Sequence, residues 1–178
     1  LLPAILRELD SYVAPGSQVM VGAKDITSEE IALITAPYQN MSVTANICDI
    51  YSGAVLENYV DAGYRSIIVL SALGCEIEQS DAENLMILLH LKSISEKKGI
   101  RHSVVSQMLS PKNGELAHIA KVNDFVISTN LTSLILSQIS ENRNLSAVFA
   151  DILDADGSEL YMKPASRYVQ TNTPVSLY

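Results

Sequence analysis

The amino-acid sequence predicts an α/β fold built on an open parallel sheet, and three observations carry that expectation. Helical and extended hydrophobic patterns alternate five times along the chain. One extended stretch, Ser66-Ile67-Ile68-Val69-Leu70-Ser71, is apolar without polar alternation, as a central parallel strand covered on both faces must be. Proline, glycine and capping residues stand between the periodic segments, where such an architecture needs its turns.

Taken in order, Leu2, Ile5, Leu6, Leu9, Tyr12 and Val13 recur at helical spacing, with Pro3 acceptable in a first turn and Pro15-Gly16 as the stop. Gln18 to Ala23 reads as a strand. Residues 27–36 suit a helix opened by Thr27 or Ser28 and stopped by Pro37, and Met41 to Ile47 is a second strand. Tyr51 to Ala62 is the next helix, with Gly63 as its C-terminal glycine, and it feeds the apolar strand at 66–71. Ser80-Asp81-Ala82-Glu83 has the form of a capping box and predicts a helix from there to about Lys97, ended by Gly99. His102 to Met108 is a strand, residues 113–121 a short helix, and Asp124 to Ile127 a strand. Thr129 to Ser140 is an amphipathic helix through Leu131, Leu134, Ile135, Gln138 and Ile139.

This order predicts a single Rossmann-like, doubly wound parallel sheet with helices on both faces. A Rossmann unit opens with a strand and a glycine-rich phosphate loop, whereas this chain opens with a helix and contains no GxGxxG. The first strand is therefore expected to lie outside the chain. From about Leu145 the pattern changes: Val148, Ile152 and Leu153 suit one more short helix, Asp154-Ala155-Asp156-Gly157 a turn, and the tail after Gln170 a linker or the start of another subdomain. The expected division is a Rossmann-like domain over 1–143 and a helix and turn extension over 144–178.

Composition narrows the function. With 48% hydrophobic and 18% charged residues the chain is an ordinary globular domain, and the run Leu85 to Leu89 is too short to cross a bilayer. A net charge of −8 argues against a nucleic-acid partner, which would require clustered Lys and Arg. Lys97 and Lys98 suit the negative end of a helix dipole. Cys48 and Cys75 lack any CxxC spacing and read as reduced thiols of a cytosolic compartment.

Three stretches carry a family resemblance. Asn46-Ile47-Cys48-Asp49 with Leu56 and Ala62-Gly63, and Ile68 to Ser71 with Asp81 to Leu85, resemble segments of RCK domains, the regulators of potassium conductance. Asn123 to Ser128, Leu134 to Asn142, and Asp154 to Tyr161 with Lys163-Pro164-Ala165 are similar to a block of the CASTOR/POLLUX ion channels. Pro15-Gly16-Ser17 fits that subfamily too. The resemblance implies a cytosolic ring of such domains, a homo-oligomer beneath an attached transmembrane cation pore, gated by a ligand such as calcium or a nucleotide. Cys48 stands where RCK domains usually carry glycine, a departure that bears on close approach of a nucleotide at that turn.

Ligands in open α/β sheets bind beyond the carboxyl ends of the strands. Those ends offer Gly22 to Asp25, Cys48-Asp49, Ser71 to Gly74 and Gln107 to Ser110, so the candidate ligand-binding residues are Asp25, Asp49, Ser71, Asp81 and Asn84. Asp25 is the nearest acid for a ribose hydroxyl, while Asp49 and Asp81 serve equally as helix N-terminal residues. Asp151, Asp154, Asp156 and Glu159 form the densest acidic group and the candidate calcium site, with a solvated turn as the alternative. An EF-hand fails, since Ile152 and Lys163 fall at loop positions that need carboxylates. His90, His102 and His118 stand at no ligand spacing, and no nucleophile motif or phosphate loop occurs. The expected function is a non-enzymatic sensing domain. An NAD(P)-binding oxidoreductase fragment and a ligand-free lobe used for assembly are the alternatives.

Overall fold

The structure, a computed structural model, describes residues 1–72, 74–100, 102–114, 125–154 and 164–169. Helix α1 (Leu2–Tyr12) leads to β1 (Ser17–Ala23), α2 (Ser28–Ile34) and β2 (Met41–Ile47). Then follow α3 (Gly53–Asp61), β3 (Ser66–Val69), the long α4 (Ile77–Lys98) and β4 (Ser103–Met108). β5 (Phe125–Ile127), α5 (Ser128–Glu141), α6 (Leu145–Leu153) and a 3-10 turn (Ala165–Arg167) complete the described elements. Residues 111–114 are helical; the rest of the short helix expected at 113–121, His118, and the turn from Ala155 onward lie outside the described residues.

All strand pairs are parallel, as expected, but the strands form two sheets rather than one. β1 pairs with β2 along its whole length, from Ser17 opposite Met41 to Ala23 opposite Ile47. β3 pairs with β4, and β4 with β5, giving a second sheet in the order β3-β4-β5. Each sheet has its own core. Leu6 of α1, Ile34 of α2 and Met41 of β2 are buried over the first sheet, with Val19, Val21, Val43 and Ala45 packed against them. Leu56 and Val60 of α3 meet Ile87, Leu88, Leu91 and Ile94 of α4 over Val69, Val104 and Met108 of the second sheet. Burying each such side chain contributes on the order of 2 kcal/mol relative to leaving it in water.

Strand alternation puts Ile68 and Val126 on the other face of the second sheet, where they are 46% and 44% exposed. α5 buries none of its residues; Leu131 and Leu134 of the expected apolar stripe are exposed, with Ile135 and Ile139 half-buried. Its hydroxyls turn inward on the helix instead: Thr132, Ser133 and Ser137 each donate to the carbonyl four residues earlier, at 2.7–2.8 Å.

Local chemistry sets the ends. Thr27 and Glu30 form a full capping box at α2, each side chain bonding the other's backbone N–H. Gly99, at φ 66°, closes α4 in the left-handed conformation that glycine adopts without strain. The capping box read at Ser80-Glu83 is not one. α4 begins a turn earlier, with Glu76 at its N-cap, so Ser80 and Asp81 lie inside the helix and face the core. Glu83 is drawn instead to Tyr51. Lys98 does more than complement the α4 dipole, since its ammonium lies 2.8 Å from Glu57 and 2.6 Å from Asp61 on α3.

Candidate functional site

The carboxyl ends of β3, β4 and β5 are joined by one polar network. Asn84, buried on α4, donates both amide hydrogens, one to Ser71 Oγ at 3.0 Å and one to the Gln107 carbonyl at 2.9 Å. The Gln107 side chain spans the next gap: its Oε1 accepts from the Ser71 backbone N–H at 3.2 Å and its Nε2 donates to Ser128 Oγ at 2.9 Å. Ser128 is the first residue of α5, so this network links three strand ends to that helix. A shallow hollow of about 320 Å³ opens there, lined by Ser128, Thr129, Thr132 and Ser133.

Asp81, 1% exposed, holds the segment after β4. Its Oδ1 accepts from Leu109 N–H at 2.8 Å, and its Oδ2 from Ser110 N–H at 2.8 Å and Asn113 Nδ2 at 2.9 Å. A buried carboxylate is tolerated only with such partners, and three charge-assisted bonds supply them. Both oxygens of Asp81 and both amide hydrogens of Asn84 are therefore engaged within the protein. These two position strand ends and loops, and Asn84 does so through Ser71 and Gln107.

A second cluster lies where the first sheet meets α3. Tyr59 Oη accepts from Asn46 Nδ2 at 3.1 Å and shares a hydrogen with Cys48 Sγ at 3.2 Å. Burial, then the Cys48 bond, raises the Tyr59 phenol above its ordinary value, against a smaller opposing effect of Asn46. The backbone at Gly22 approaches closely, for a Cβ there would sit 3.0 Å from Tyr59 Oη. Beside it the Tyr51 hydroxyl donates to Glu83 Oε2 at 2.6 Å, and Gln79 Nε2 donates to Glu83 Oε1 at 3.0 Å. Burial, followed by the Glu83 bond, pushes the Tyr51 phenol up to about 12. Those same two donors, Tyr51 first, hold the Glu83 carboxyl below the usual carboxylate range.

Of the residues singled out from sequence, Ser71, Asp81 and Asn84 come together at the second sheet. Asp49 accepts from the Tyr51 N–H at 3.1 Å, shaping the turn into α3, whose N-cap is Ser52. Asp25 is exposed in the turn after β1. Asp151 and Asp154 are exposed at the end of α6, while Asp156 and Glu159 lie outside the described residues. Among the described residues no three His, Cys, Asp or Glu side chains are grouped to hold a metal ion. No described helix is long and apolar enough to cross a membrane. The bridging role of Gln107 and the parts played by Tyr51 and Tyr59 were not apparent from sequence. The signal for Gln107 was its place on the same strand face as Val105, where alternation calls for an apolar residue.

No family model matches the chain. Curated relatives do: it is 22% identical, over 98% of its length, to the probable ion channel POLLUX of Arabidopsis thaliana, covering 26% of that protein. Over the same 98% share it is 22% identical to the probable ion channel CASTOR of Oryza sativa subsp. japonica and 20% identical to the ion channel DMI1 of Medicago truncatula, covering 24% of each. The chain thus spans about a quarter of the length of the relatives it matches.

Proposed function

We propose that this chain is a regulatory domain of the RCK kind in a cation channel similar to CASTOR and POLLUX. A ligand in its strand-end crevice biases a ring of such domains and thereby the attached transmembrane pore. The observation that carries this reading is the reach of the similarity, which takes in 98% of the chain and relatives named as ion channels. The domain faces the cytoplasm, carries out no catalytic turnover, and takes calcium or a nucleotide as its ligand.

The polar network supports a route from ligand to assembly. A ligand that competes for Ser71 or Gln107 also pulls on Ser128, which begins α5, and α5 carries the exposed leucines. It shifts the ring only by the difference in its affinity for two arrangements, so a tenfold shift asks for about 1.4 kcal/mol of differential binding. The test is single-channel recording of the full-length channel with calcium chloride or ATP on the domain's side, beside calorimetric titration of this chain. The expected result is a change in open probability that Gln107→Ala weakens together with the heat of binding. A channel indifferent to both ligands, with a chain that binds neither, would overturn the reading.

The exposed apolar side chains of α5 favour a second reading, a lobe that serves ring assembly without a ligand. In that case the titrations are silent while the oligomer depends on α5.

A further inference from the structure

Asn113 is the only asparagine of the chain that a glycine follows. Asn-Gly is a turn-forming pair. It is also the pair in which asparagine loses its amide most readily, because glycine has no Cβ to hold its backbone nitrogen away from the side-chain carbonyl carbon. Here the pair is helical, within residues 111–114. Two hydrogen bonds hold it so. Asn113 Nδ2 donates to Oδ2 of the buried Asp81 at 2.9 Å, and the N–H of Gly114, itself buried, donates to the Ser110 carbonyl at 3.2 Å.

Both bonds oppose the reaction that the pair invites. Attack requires the Gly114 nitrogen to approach the Asn113 side-chain carbon closely and in line with its carbonyl. A helix instead turns each N–H along its axis toward the carbonyl four residues back. Asn113 therefore reacts from an opened state of the segment. Asp81 sets how often that state is reached, because the same carboxylate also accepts from the N–H groups of Leu109 and Ser110. After the reaction the contact is reversed in sign. A donor 2.9 Å from Asp81 Oδ2 has become a carboxylate, and two carboxylates that close cannot both stay ionised. The segment cannot close again as it was.

We infer that Asn113-Gly114 is a self-modification site guarded by Asp81, and that its deamidation is a one-way release of residues 109–114 from α4. The reaction takes only water. The Gly114 nitrogen bonds to the Asn113 side-chain carbonyl carbon, and its proton leaves with the amide group as ammonia. Water then adds across either carbonyl–nitrogen bond of the resulting five-membered imide, giving aspartate or isoaspartate. The released segment follows directly on Met108, the last residue of β4, so its loss loosens the strand end that carries the Gln107 bridge. The inference rests on the bonds of Asp81 and Gly114 and is independent of the channel reading.

The first test follows amide loss at Asn113 by peptide mass spectrometry, with the 178-residue chain held in mildly alkaline buffer and digested in acid. A hydrogen bond to a charged group amounts to about a tenfold change or more in an opening equilibrium. The folded parent should therefore react at least about tenfold more slowly than the same chain in urea, and Asp81→Ala should recover at least about tenfold of that difference. Loss from the folded parent as fast as in urea would overturn the inference. So would an Asp81→Ala chain, folded by circular dichroism, that reacts no faster than the parent. The second test needs no change at Asp81 and decides the matter where that variant does not fold. Asn113→Asp reproduces the aspartate product, and in it the amides of Leu109 and Ser110 should exchange hydrogen at least about tenfold faster, with those of Ser66–Val69 unchanged. Equal protection of Leu109 and Ser110 in the two chains would refute the release.

Discussion

Replacing Asp81 with alanine isolates the cost of the anchor after β4. The substitution leaves the backbone N–H groups of Leu109 and Ser110 and the amide of Asn113 without their acceptor, in a place where the carboxylate is 1% exposed. Each hydrogen bond to a charged group contributes about 1.5–3 kcal/mol, so the gross loss is large. Leu109, Ser110 and Asn113 are only half-buried, and water entering the vacated space recovers much of it. The net cost should be about 3–4 kcal/mol. A chain of this size loses about 2 kcal/mol of stability per molar urea, so the unfolding midpoint should fall by about 1.5–2 M with the slope unchanged. The chain has no tryptophan, so far-ultraviolet circular dichroism is the natural probe. Asp81→Asn keeps one acceptor but turns an amide hydrogen toward a backbone donor, and should cost about 2 kcal/mol. A fall of less than about 0.5 M for Asp81→Ala would refute the assignment of the carboxylate as an anchor.

Further outcomes follow from the other clusters. Gly22→Ala should destabilise by about 1 kcal/mol by crowding Tyr59, and should be neutral in a Tyr59→Phe background, where a double-mutant cycle reads the coupling. Tyr51 should titrate at about 12, visible as a late phenolate step near that pH that Tyr51→Phe removes. Because its pKa is raised on folding, its stabilisation is complete below pH 10 and lost as pH rises toward 12; that of Glu83, whose pKa is lowered, is present above about 4.5 and lost as pH falls through its folded value. Denaturant midpoints measured across both windows should bend less in Tyr51→Phe. Leu134, 58% exposed on α5, can be changed to glutamate with a stability change within about 0.5 kcal/mol, while light scattering should show the oligomer dissociate if α5 is its contact.

The elements themselves were legible because their punctuation is strong. Pro15-Gly16, Pro37, Gly63 and Gly99 break the hydrophobic periods where the backbone turns, and Gly16, Gly63 and Gly99 adopt positive φ. Met41–Ile47 falls where its apolar pattern puts it. What sequence withheld is pairing. Parallel strands meet across long crossovers, so no local signal says that β1 and β3 do not touch. The start of α4 was misjudged because Ser80 and Glu83 have cap spacing, yet their side chains serve tertiary ends: Ser80 is fully buried and Glu83 answers a tyrosine 32 positions away. Of the site, Ser71, Asp81 and Asn84 could be named from their place at strand ends, but not that Asp81 and Asn84 would be consumed by the fold. Gln107 and Tyr59 act through partners distant in sequence, which composition and spacing do not register.

The hydroxyls of α5 have a consequence for temperature. Thr132, Ser133 and Ser137 give their hydrogens to the helix's own carbonyls, so drying this helix strands none of these three donors. The free energy of covering it is then governed by Leu131, Leu134 and Leu136, whose transfer from water is driven by entropy near room temperature and weakens on cooling. A contact made through α5 tightens on warming and loosens in the cold.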